Sequence, residues 1–143
     1  MLATCGHASA CQRIIQITLT FADGSAELDR SQIVRLAGWI TNASAMFGTY
    51  TNAGIEAGAT ANPPERTREK AVRLARVRAD NVALALKTLF PASIDIEKFA
   101  HAYREKRDSD VQVNDFAAIQ LYPDLKTSKI PDCNPGLPDG LER

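Results

Sequence analysis

Residues 50–89 place a strand-like run directly before a long helical segment, and this order constrains the fold more than any other feature. Thr49–Ala59 predicts a strand of small and β-branched residues, weakened by its two glycines. After two prolines, apolar residues recur every three to four positions as far as Phe90, which is the period of an amphipathic helix. Asn62 or a nearby threonine is expected to cap this helix. A strand followed by a helix that packs back on it is typical of α/β layers.

Three more strands and one more helix complete the predicted order β-α-β-α-β-β. They occupy residues 14–21 (strand), 28–45 (helix), 93–103 (strand) and 111–122 (strand). Asp29 or Ser31 is expected to cap the first helix, and Lys98 interrupts the third strand. The inward helix positions are predicted to be Ile33, Leu36, Ala37, Ile40 and Ala43 or Ser44, then Ala71, Leu74 or Ala75, Arg78, Val82, Leu86 and Leu89 or Phe90. We therefore predict a two-layer α/β sandwich, with a mixed sheet and both helices on one face.

The chain is predicted to be one domain over residues 13–122, between a flexible N-terminal arm (1–12) and an irregular C-terminal tail (123–143). Its 143 residues suffice to bury a core without obligatory staples. The 17 basic and 17 acidic residues balance, which argues against a nucleic-acid binder. No apolar run approaches the roughly 20 residues that span a bilayer, and no signal-peptide pattern is visible at the N-terminus.

The three cysteines, Cys5, Cys11 and Cys133, lie in the predicted arm and tail. Cysteines outside the periodic core favour disulfide partners, or the remnant of a lipid anchor, over buried packing residues. Because their number is odd, one stays unpaired unless it is modified or linked to another chain. Zinc usually takes four ligands in paired spacing, which Cys5, His7 and Cys11 lack, so no metal site is predicted.

Catalytic patterns in the chain are weak. Asp95 and Glu97 alternate on a predicted strand and are expected to lie on a solvated face, because paired-acid catalysis needs a contrast in burial between the two carboxyls. His101 has no credible nucleophile partner, and no Gly-x-Ser-x-Gly segment is present. We predict a binding module that is not an enzyme and takes no cofactor.

The strand–loop–helix segment, with the elements around it, resembles OmpA-like domains, the periplasmic modules that hold peptidoglycan. The similarity covers about residues 14–122. The matching segments are Phe21–Leu28 (family pattern F-x-x-x-S-x-x-L), Ile55–Ala61 (I-x-G-H-T-D), Leu74–Val82 (L-S-x-x-R-A-x-x-V) and the segment opened by Asn114 (N-R-R-V-E-I). The resemblance implies the same order of strands and helices.

The resemblance also implies a ligand and the residues that hold it. In OmpA-like domains, the Asp of the G-H-T-D segment and the Arg of R-A hold the diaminopimelate of the peptidoglycan stem. An acid and a guanidinium complement its ammonium and carboxylate groups, and the adjacent helix N-terminus adds amide donors. In this chain Arg78 matches the Arg, whereas Ala61 and Ala59 stand at the Asp and His positions. Asp115 and Phe116 replace the Arg pair of the closing strand.

The predicted ligand site is therefore centred on Arg78 as the anchor. Its other members are Gly58, Thr60, Ala61, Asn62 and Asn114. The expected protein is an envelope module of a Gram-negative bacterium, in the periplasm and associated with the outer membrane, with room for a lipid anchor upstream. Because the acid is missing, two alternatives stay open: a divergent scaffold that binds a protein partner, such as an envelope assembly component or an inhibitor or immunity protein, and an Arg78 that only pairs with Asp80, Glu56 or solvent.

Overall fold

The computed structural model describes residues 15–104, 114–124 and 126. These residues form four strands and two helices in the order β-α-β-α-β-β. The elements are β1 (Ile15–Thr20), α1 (Arg30–Phe47), β2 (Tyr50–Ala61), α2 (Arg68–Leu89), β3 (Asp95–Arg104) and β4 (Phe116–Pro123). The predicted order is confirmed.

The four strands form one mixed sheet in the spatial order β1-β4-β2-β3. β2 and β3 are parallel, joined by the crossover through α2. β4 runs antiparallel to both of its neighbours, pairing Ile119 with Ile17 of β1 and with Ile55 of β2. The last described strand thus lies inside the sheet, beside the strand that carries Gly58, Thr60 and Ala61 of the predicted site.

The core lies between the helices and one face of the sheet, as the alternation of apolar residues predicted. Leu19, Ile55 and Ile119 are fully buried on the three strands that meet there. On α2 the buried stripe consists of Ala71, Ala75, Arg78, Ala79, Val82, Ala83 and Leu86. The alanines keep this stripe thin, so that α2 lies close to the sheet. One predicted inward position is wrong, because Ile33 is 40% exposed, and of the alternatives Leu89 or Phe90 it is Phe90 that is buried.

Local contacts set the element boundaries where the sequence was ambiguous. Asp29 caps α1 by accepting from the Gln32 amide, as predicted, and Thr67 caps α2 through the Lys70 amide. β2 continues past both of its glycines, because it is paired on each side by β3 and β4. β3 is continuous through Lys98, whose ammonium reaches the Asp80 carboxylate at 2.7 Å.

Some predictions fall on residues that are not described. Val111 and Val113 of the predicted closing strand lie outside the described residues, as do Cys5, His7, Cys11 and Cys133. Neither described helix combines the length and apolar character that crossing a membrane requires.

Candidate functional site

Arg78 is the largest fully buried side chain among the described residues, with 0% exposure. It lies at the middle of α2 on the stripe that faces the sheet, one position before the buried Ala79. Its guanidinium carbon is 4.9 Å from the centroid of the Phe21 ring, within the range of a cation–π contact. A buried cation needs compensating partners, and the surrounding backbone supplies most of them.

The guanidinium of Arg78 joins the loop after β1 to the end of β2. Its Nε donates to the Ser25 carbonyl at 2.7 Å, and Nη2 donates to the Ala22 carbonyl at 3.1 Å. Nη1 donates both to the Gly58 carbonyl at 2.8 Å and to the Asp115 carboxylate at 2.7 Å. Four of the five guanidinium N–H groups are therefore used inside the protein.

Asp115, the residue immediately before β4, supplies the negative charge that faces Arg78. Its side chain is 22% exposed, whereas that of Arg78 is 0% exposed. Oδ2 accepts from the Thr60 hydroxyl at 2.9 Å, and Oδ1 accepts a longer bond from the Thr60 amide at 3.4 Å. The carboxylate is thus fixed from two sides while part of it still reaches solvent.

One domain of known structure that is similar to this chain is an OmpA-like domain. It belongs to FopA1 of Francisella tularensis subsp. tularensis SCHU S4, with 14% identity, 77% of this chain and 73% of that chain covered, and a TM-score of 0.52. The fold is OmpA-like. No protein-family model and no curated protein matches the chain.

Two further solved structures are similar at lower TM-scores. The cell wall anchor of the T6SS from Pseudomonas aeruginosa is 17% identical, with 83% of this chain and 94% of that chain covered and a TM-score of 0.48. The peptidoglycan-associated lipoprotein from Burkholderia pseudomallei is 17% identical, with 73% and 88% covered and a TM-score of 0.44.

The carboxylate beside Arg78 comes from the residue before β4 rather than from the OmpA-like motif on β2. At the motif's acid position, Ala61 is 8% exposed and carries no charge. Phe116 is the register partner of Gly58, so the preceding residue, Asp115, reaches the same end of β2. In the sequence, Asp115 stands out only as a departure from the family's Arg pair. The adjacency of β2 and β4 in the sheet brings it to this end of β2, and this adjacency is not visible in the motif.

The predicted site residues gather at this end of β2 in different roles. Gly58 and Thr60 contact Arg78 and Asp115 directly. Asn62 lies in the loop that follows, where its backbone N–H donates to the Arg66 backbone carbonyl at 2.9 Å. The Asn62 side-chain oxygen is buried and has no hydrogen-bond partner in the part of the chain that the structure describes.

Gly58 is required at its position by close packing. A Cβ there would lie 2.6 Å from ring atoms of Tyr103 and Phe116, and 2.7 Å from the Asn114 carbonyl oxygen. The Asn114 side chain donates to the Arg104 carbonyl at 3.3 Å. Burial, and then the charge of Glu56, raise the pKa of Tyr103. Asn114 is thus a neighbour of Gly58, and its part in a ligand site stays a prediction.

A second arginine, Arg66, lies at the rim of the site. Its Nη1 donates to the Thr60 carbonyl and to the Asp23 carboxylate, each at 3.0 Å. The Arg66 side chain is 17% exposed and that of Asp23 is 71% exposed. Thr60 therefore lies between a partly exposed cation, Arg66, and a partly exposed anion, Asp115.

Two alternative partners for Arg78 are taken by other residues. Asp80 pairs with Lys98 at 2.7 Å, and Glu56 lies 3.1 Å from the His101 Nε2. Arg78 itself has no exposed surface. A ligand can contact it only when the Asp115 side chain moves away, so this contact stays a prediction. Within residues 15–104, 114–124 and 126, no group of three or more His, Cys, Asp or Glu side chains is placed to hold a metal ion.

Proposed function

We propose that this chain is a non-enzymatic, peptidoglycan-associating module of the bacterial cell envelope, acting in the periplasm. The OmpA-like fold supports the class of function. The observation that carries the proposal is the Asp115 carboxylate 2.7 Å from Arg78. This contact restores the acid–guanidinium pair that Ala61 removes from the sequence motif.

In the proposed complex, diaminopimelate presents its ammonium to the exposed part of Asp115. Arg78 acts as the anchor of the site because it holds this carboxylate against the end of β2. The ligand carboxylate has two routes to a cation. It contacts Arg66 on the other side of Thr60, or it replaces Asp115 at Nη1 of Arg78.

The loop after β2 contributes neutral groups to the proposed site. The buried oxygen of Asn62 lacks a partner among the described residues, although buried acceptors usually have one. An N–H group of the stem peptide would supply it. Ala61, Gly58 and Asn114 shape the wall of the site without charge.

The test is co-sedimentation with purified sacculi that contain diaminopimelate. Asp115→Asn keeps the size of the side chain and an acceptor for Arg78 but removes the charge. We expect it to weaken binding roughly tenfold, because a charge-assisted hydrogen bond contributes about 1.5–3 kcal/mol. The matched control is Asp80→Asn, which removes the same charge from an exposed position on α2. Thermal unfolding of each variant verifies the fold, and equal binding by wild type and Asp115→Asn contradicts the proposal.

A second candidate function is favoured because the hydrogen-bond donors of Arg78 are already used within the protein. This function is the binding of a protein partner by a scaffold that no longer binds peptidoglycan. Four guanidinium N–H groups already have acceptors, and the side chain has 0% exposure. Under this function, folded wild type and both variants co-sediment only at background level. The same experiment therefore separates the two candidates.

A further inference from the structure

The face of the sheet that turns away from both helices is open to solvent. Glu56, Glu97, Phe99 and Tyr122 all lie on this open face and are exposed. Their positions alternate with residues that face the helices, which are buried on β2 and β4 and partly buried at Ile96 and Ala100 of β3, since successive side chains of a strand point to opposite faces. The open face is separate from the buried Arg78, which lies on the helix side.

Two aromatic side chains and a glycine line an apolar groove on the open face. Phe99 of β3 is 52% exposed and Tyr122 of β4 is 36% exposed. Gly54 of β2 lies between them, and a Cβ placed there would be 3.7 Å from the Tyr122 hydroxyl oxygen. A groove of about 480 Å³ follows this line, with Asp95 and Glu97 also on its wall.

Among the described residues, the charge of the open face is negative. Three carboxylates, those of Glu56, Asp95 and Glu97, occupy outward positions on β2 and β3. The outward positions of the four described strands include no Lys or Arg, and His101 beside Glu56 is the one basic side chain among them. The chain as a whole has a formal net charge of zero, so the imbalance belongs to this surface.

We propose that the open face binds an extended, basic segment of a partner protein. Lys or Arg side chains of such a segment would lie over the Phe99 and Tyr122 rings, where a cation is attracted by the ring face. Glu56 and Glu97 would pair with the same cations, and complementary charge raises the association rate and the specificity. The groove over Gly54 admits a backbone close to the sheet.

Two other occupants fit the charges less well. A second copy of this face would bring like carboxylates together, which costs binding energy. A glycan strand without its stem peptides has no cation to meet the carboxylates. The basic segment is therefore the occupant that both the rings and the charges favour.

The test uses fluorescence anisotropy with a labelled peptide of ten residues in which Arg and Thr alternate. Glu56→Gln combined with Glu97→Gln is expected to weaken binding roughly tenfold, and Phe99→Ala roughly threefold. The control is Glu65→Gln combined with Glu69→Gln, which removes two exposed carboxylates outside the open face and is expected to change binding less than about twofold. A peptide of alternating Glu and Thr should not bind.

Several outcomes would overturn this proposal. One is no binding at about 1 mM peptide, and another is an equal loss for the two double variants, which would indicate unspecific attraction. Binding of stem-free glycan strands that Phe99→Ala abolishes would make the face a glycan site. Concentration-dependent dimers in sedimentation velocity that Phe99→Ala abolishes would make it a contact between copies. Asp115→Asn should leave peptide binding unchanged, so failure here is distinguishable from failure of wall binding.

Discussion

Two arginine–aspartate pairs lie at the end of β2, and they differ in burial and in the number of partners. Arg78 is 0% exposed, and its guanidinium has four acceptors around it. Arg66 is 17% exposed, and its partner Asp23 is 71% exposed. Both donate to a carbonyl of β2, that of Gly58 for Arg78 and that of Thr60 for Arg66.

Arg78 is a buried cation that stabilises the fold, whereas Arg66 is a cation at the rim of the site. Removing one partner of a buried pair leaves an uncompensated charge or unsatisfied acceptors, whereas an exposed pair is replaced by water at little cost. Arg78 should therefore control folding, and Arg66 should control what the site meets in solution. Four substitutions test this division.

Arg78→Ala should have the largest effect, a loss of about 3–5 kcal/mol in the free energy of unfolding. It removes a buried cation and leaves the carbonyls of Ser25, Gly58 and Ala22 without their donor. Urea denaturation measures the loss. Arg76→Ala, on the exposed side of the same helix, is the control and should cost under about 0.5 kcal/mol. Similar losses of stability for the two variants would contradict the expectation that the buried Arg78 stabilises the fold more than the exposed Arg76 does.

Gly58→Ala should cost about 1–3 kcal/mol, because a Cβ at 2.6–2.7 Å from two rings and the Asn114 carbonyl forces the β4 segment to move. Gly54→Ala is the matched control in the same strand, where the nearest atom would be 3.7 Å away. Chemical denaturation compares the pair. The Gly58 variant should also lose sacculus binding, since Asp115 lies beside Asn114. A Gly58 variant as stable as the Gly54 variant would contradict this packing.

Asp115→Asn should cost about 1–2 kcal/mol, since a charge-assisted bond to Arg78 becomes a neutral one while the Thr60 hydroxyl keeps a partner. Thermal unfolding at several salt concentrations measures it. The difference from wild type should persist in about 0.5 M salt, because a buried pair is little screened. A difference that disappears with salt would show that the Asp115–Arg78 pair is screened like the exposed Arg66–Asp23 pair.

Arg66→Ala should have the smallest effect on stability, about 0.2–1 kcal/mol, and the difference should vanish in about 0.5 M salt. Asp23→Asn, which removes the other partner of the same exposed pair, should behave alike. In the sacculus assay, however, Arg66→Ala should weaken binding more than Asp23→Asn does, because the proposed ligand carboxylate needs the cation. Equal binding by the two variants would restrict the ligand carboxylate to Arg78.

The sequence was sufficient to predict the order of the elements, the mixed sheet and most of the buried stripe of α2. Those features depend on local periodicity and on capping residues such as Asp29. The interruption at Lys98 was predicted wrongly, because pairing with β2 and the contact with Asp80 outweigh the local preference. The preference of a residue for a strand depends on the neighbouring strands, and the sequence alone does not show which strands are neighbours.

The acid of the site was the larger omission. Asp115 and Arg78 are 37 residues apart in the chain, and their contact depends on β4 lying beside β2 with Gly58 opposite Phe116. The OmpA-like motif places the acid on β2 alone, at the position of Ala61. The strand order, rather than the motif, shows that a neighbouring strand can supply a side chain to the same place.

Because β4 lies between β1 and β2, the sheet is complete only after β4 has joined it. In the described sheet β1 is bonded to β4, and the pairing of Ile15 with Leu121 closes a loop that spans nearly the whole domain. A chain still emerging from the ribosome, without residues 115–123, would hold β1 apart from β2 and β3 and leave Arg78 without its anion. Pairings between residues so distant in sequence form slowly. Closure of the sheet and neutralisation of the buried charge are then one late step in folding.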